Sequence, residues 1–63
     1  MTYDDAVELV QGWPEDRSVP RKLAKAIAEA KGQDALLLGM FVEALTTAAA
    51  SEEDYQLIEK YFG

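Results

Sequence analysis

The sequence predicts an all-α fold, a small bundle of four short helices, and three observations carry that reading. Apolar residues recur at helical spacing through most of the chain. Capping residues and isolated glycines cut it into four segments. No run combines β-branched alternation with an Asn-Gly or Asp-Gly turn, so strand signals are absent. The 63 residues are expected to form one domain, residues 1–63. That is near the size at which a single core is only marginally stabilising.

The first helix is expected over residues 3–11. Thr2 can cap it, Asp5 stands at capping-box spacing, and Asp4 and Asp5 lie near the positive end of the helix dipole. Tyr3, Ala6, Val7 and Val10 share a face with Leu9 on its flank, and Gly12 ends the helix. Residues 13–17 then form a loop, because Pro14 disfavours helical geometry at Trp13. Trp13 is the only tryptophan. It reads as a plug over the end of the bundle or, if exposed, as a binding anchor.

The second helix is expected over residues 19–31, with Ser18 as cap and Pro20 in the first turn. Val19, Leu23, Ala26, Ile27 and Ala30 form its apolar stripe, and Arg21, Lys22, Lys25 and Glu29 lie opposite. Gly32 is the natural left-handed terminator. The third helix, residues 35–50, starts after a short link with Asp34 as cap. It is the most apolar stretch, and the other segments are expected to pack around it.

At about 100° per residue its apolar side chains, Leu37, Leu38, Met40, Phe41, Val42, Ala44, Leu45, Ala48 and Ala49, sweep roughly 200°. An ordinary one-sided surface helix shows an apolar stripe of about 100°, so more than one neighbour is expected to cover this one. On the other arc Ala35, Gly39, Thr46 and Ala50 make a smooth strip suited to close approach of another helix, as in self-association. Gly39 also reads simply as a tolerated glycine on a partly exposed face. Ser51 opens the fourth helix, residues 52–62, where Ser51-Glu52-Glu53-Asp54 has the capping-box pattern. Tyr55, Leu57, Ile58, Tyr61 and Phe62 occupy one broad face.

The formal net charge is −6, and the charges are segregated. Residues 1–16 hold five acids and no base, residues 17–31 five bases and one acid, and residues 32–63 six acids and one base. The plain reading is good capping and solvated faces. The functional reading is a continuous acidic surface built from Asp4, Asp5, Glu8, Glu15, Asp16, Glu52, Glu53 and Asp54. Such a surface would repel nucleic acid and attract a basic partner, including a groove that normally holds phosphates. Trp13, Tyr55 and Tyr61 are the candidate aromatic anchors.

Catalytic equipment is not evident. The chain has no Cys and no His, which removes thiolate chemistry and the commonest general base and zinc ligand. No segment matches an EF-hand or a glycine-rich phosphate loop. No enzyme activity, metal or cofactor is expected. The N-terminus has no signal-peptide pattern and no run is long enough to span a membrane, so a cytoplasmic protein of bacterial or phage type is the expectation. The Ala28–Gly32 region is weakly similar to a helix-turn-helix. The helix that would read DNA is apolar, with Asp34 and Glu43 as its only charges, where base readout needs Arg, Lys, Asn or Gln.

The expected function is therefore a stoichiometric protein-binding inhibitor whose acidic surface engages a basic partner. By size and charge it suits an anti-CRISPR, anti-restriction or immunity-like antagonist, although no motif identifies those families. The alternatives are a self-associating helical assembly or adaptor module, including a homodimer, and a DNA-binding domain.

Overall fold

A computed structural model describes every residue from Met1 to Gly63. Four helices follow in order: α1 (Tyr3–Gln11), α2 (Val19–Glu29), α3 (Gln33–Ala48) and α4 (Glu52–Phe62). Helix α3 is central, since α1, α2 and α4 all pack against it, and α2 likewise touches all three others. Helices α1 and α4 do not pack on each other. No helix is long and apolar enough to cross a membrane.

The core follows from the helical stripes. Val19, Pro20, Leu23 and Leu45 are fully buried, joined by Ala6, Trp13, Ala26, Leu38 and Ile58. Leu9, Val10, Ile27, Phe41, Val42, Leu57 and Phe62 pack around that centre while partly exposed. Two capping boxes hold as expected. The Thr2 hydroxyl accepts from the Asp5 N–H while the Asp5 carboxylate accepts from the Thr2 N–H, and Ser51 and Asp54 repeat the arrangement.

Two caps differ from expectation. The Ser18 side chain caps nothing. Instead the Asp16 carboxylate accepts from the Ser18 N–H at 3.0 Å and from its hydroxyl at 2.6 Å, so Asp16 organises the entry to α2. Asp34 is not the cap of α3. It lies within the first turn, and the cap position belongs to Gly32 at φ 61°, ψ −129°. That backbone is not the left-handed helical terminator expected of Gly32, and it is one that L side chains rarely adopt.

Helix limits shift for related reasons. Helix α2 stops at Glu29, two residues early, because Ala30 is already extended (ψ 158°) ahead of the turn at Gly32. Helix α3 starts at Gln33 and ends at Ala48, with Ala49 extended (ψ 132°). The Ala50 N–H, which would otherwise continue the helix, donates to the Asp54 carboxylate at 2.8 Å. The cap of α4 thus draws the chain out of α3.

The two inner glycines predict opposite mutational outcomes. A Cβ at Gly39 meets nothing within 4 Å, so Gly39→Ala is expected to stabilise the fold by about 0.5–1 kcal/mol through helix propensity. Gly32→Ala is expected to destabilise it by about 1–3 kcal/mol, because alanine is strained at that positive φ. Urea unfolding of the two variants reads both signs. A destabilised Gly39→Ala would show that a helix does approach there.

Candidate functional site

The loop after α1 carries the densest polar construction. Trp13 is only 4% exposed, and its indole N–H donates to the Leu45 carbonyl at 2.9 Å. That carbonyl belongs to the last turn of α3, where helix carbonyls lack an intrahelical donor. Trp13 is therefore both core plug and cap, and burial removes it as an aromatic anchor. The Arg17 guanidinium lies 5.0 Å from the centre of the Trp13 ring. It donates to the Pro14 carbonyl and to the Asp54 carboxylate. Trp13, Arg17 and Asp54 thus lock the loop, the end of α3 and the start of α4 into one corner.

Asp54 is 5% exposed, so it does not belong to an accessible acidic surface. Its carboxylate accepts from the Ala50 N–H, from Arg17 and from the Ser51 N–H at 3.2 Å. These donors, with Ala50 foremost and Arg17 next, outweigh burial and bring its pKa from the ordinary 3.8 down to about 2. Asp5 and Asp16 are also lowered, by hydrogen bonds from Thr2 and from Ser18 respectively.

The other acids are exposed but fall into separate groups. Asp4, Asp5 and Glu8 stand on α1, Glu15 and Asp16 on the loop, and Glu52 and Glu53 on the first turn of α4. Arg17 stands beside the loop acids and bonds to α4, while α1 and α4 do not meet. Of the eight acids expected to form one surface, Asp54 is the one the fold withdraws, buried and paired with Arg17. Of the remaining aromatic candidates, Tyr55 is exposed and Tyr61 is half-buried, with the Lys60 ammonium 5.5 Å from its ring centre.

The uncovered surface lies elsewhere. Leu36 is 75% exposed and Met40 69%, and Leu37, Ala44 and Tyr3 are exposed as well. The Tyr3 ring rests on Phe41 with centroids 5.4 Å apart. Tyr3, Leu37, Met40, Phe41 and Ala44 line a shallow groove of about 220 Å³ whose walls are mostly apolar. A second depression of about 320 Å³ shares Tyr3 and Leu37 and runs on to Asp34 and Met1.

This face was half legible in the sequence. More than one neighbour packs on α3, as the breadth of its apolar arc led us to expect, but three neighbours still leave a side open, and that side differs from the small-residue strip. Ala35 and Gly39 are half-buried, Thr46 and Ala50 are exposed, and the Thr46 hydroxyl bonds back to the Val42 carbonyl at 3.1 Å. The open side is instead the one bearing Leu36, Leu37, Met40 and Ala44. Sequence periodicity gives the width of an apolar arc but not which part of it the neighbours cover.

The largest depression, about 580 Å³, lies along α2 and is lined by Lys22, Lys25, Glu29, Lys31 and Asp34 among others. Those charged side chains are all exposed. No group of three His, Cys, Asp or Glu side chains is placed to hold a metal ion. No protein-family model, curated protein or solved structure matches the chain.

Proposed function

We propose that this chain is a non-enzymatic protein-binding module that engages a cationic partner and acts by occupying its surface, as a stoichiometric antagonist does. The observation that supports this reading most strongly is the uncovered apolar face of α3. Large apolar side chains grouped on the surface of a small monomer mark interaction sites. The net charge of −6 favours basic partners and speeds their association. The exposed acids of α1, of the loop after it and of α4 then steer the encounter, while the α3 face supplies the contact.

Capture on immobilised protein tests this reading. The bound partner is expected to come off as salt rises from about 0.05 M to about 0.5 M, across which screening shortens severalfold. Met40→Asp is expected to lose the partner while keeping its helical circular dichroism, because Met40 makes no part of the core. A partner held equally by Met40→Asp, or unaffected by salt, would contradict the proposal.

The same open face favours self-association as a second reading. It predicts a dimer in sedimentation at micromolar concentration, converted to monomer by Met40→Asp.

A further inference from the structure

We draw no further inference here: the strongest candidate, the apolar groove between α1 and α3 lined by Tyr3, Leu37, Met40, Phe41 and Ala44, has no charged side chain in its walls to select an occupant, and nothing in the structure shows what covers it.

Discussion

Trp13→Ala is expected to leave most molecules unfolded at room temperature. Truncating a buried tryptophan costs about 3–5 kcal/mol, and a core of this size seldom supplies more than about 3–5 kcal/mol in total. Two effects combine at this position: the cavity left in the core and the loss of the donor to the Leu45 carbonyl. Trp13→Phe separates them. It retains much of the apolar volume but leaves that carbonyl without its indole partner, which is expected to cost about 1–3 kcal/mol. Urea unfolding should place Trp13→Phe between wild type and Trp13→Ala, with fewer than half the Trp13→Ala molecules folded in water. A Trp13→Ala protein with an unchanged unfolding midpoint would refute the capping and plugging role together.

The second large effect belongs to Asp54. Asp54→Asn removes the charge that Ala50, Ser51 and Arg17 address together, and the asparagine amide places donor hydrogens among donors. The thermal midpoint of Asp54→Asn is expected to fall further than that of Ser51→Ala. The latter loses one capping hydroxyl, a change costing about 0.5–2 kcal/mol. The same contacts set an acid limit on stability. Folding holds the Asp54 pKa at about 2 against an ordinary 3.8, so between these values the unfolded chain takes up a proton that the folded chain refuses. Stability from this group is therefore complete above about pH 4 and disappears as pH falls through about 2. Asp5 and Asp16, lowered in the same direction, steepen the loss. In Asp54→Asn the acid limb should be flatter than in wild type. Unfolding midpoints taken from pH 6 downward check this, and an unchanged slope would show that the carboxylate is not held ionised by its neighbours.

The division between what the residues announced and what they concealed follows the range of the interactions. Helices α1 and α4 have the expected limits because Thr2, Asp5, Ser51 and Asp54 act within a single turn. The buried stripe of α2 is equally local. The limits of α3 were missed because they depend on a backbone conformation at Gly32 and on a carboxylate claimed by the preceding residues. Capping pattern alone presented Asp54 as one more exposed acid. Its pairing with Arg17, 37 positions away, is not written in that local pattern. Likewise the bond from Trp13 to Leu45 joins residues 32 positions apart, and nothing in local spacing records it. For the candidate site, periodicity showed that α3 has more apolar surface than one neighbour can cover. Which part stays open is set by where α1 and α4 lie, and that placement is tertiary.

The corner built from Trp13, Arg17 and Asp54 ties the loop after α1 to the facing ends of α3 and α4. It fixes the end of α3 by capping Leu45 and the start of α4 by pairing Asp54, so α3 is held at one end while its outer side remains free. The part of the chain with the most polar contacts is thus structural. The part with the fewest, around Met40, is the one the other helices leave uncovered.

The most direct measurement of that claim is a methyl spectrum of the protein labelled at methionine, recorded before and after adding the captured partner. The chain has two methionines, so the Met40 methyl is resolved from Met1 by a single Met40→Leu control. The account predicts a sharp, solvent-accessible Met40 signal in the free protein that shifts and broadens when the partner binds. A Met40 signal unchanged at saturation, with amide shifts confined to the Glu15, Glu52 and Glu53 corner, would contradict it.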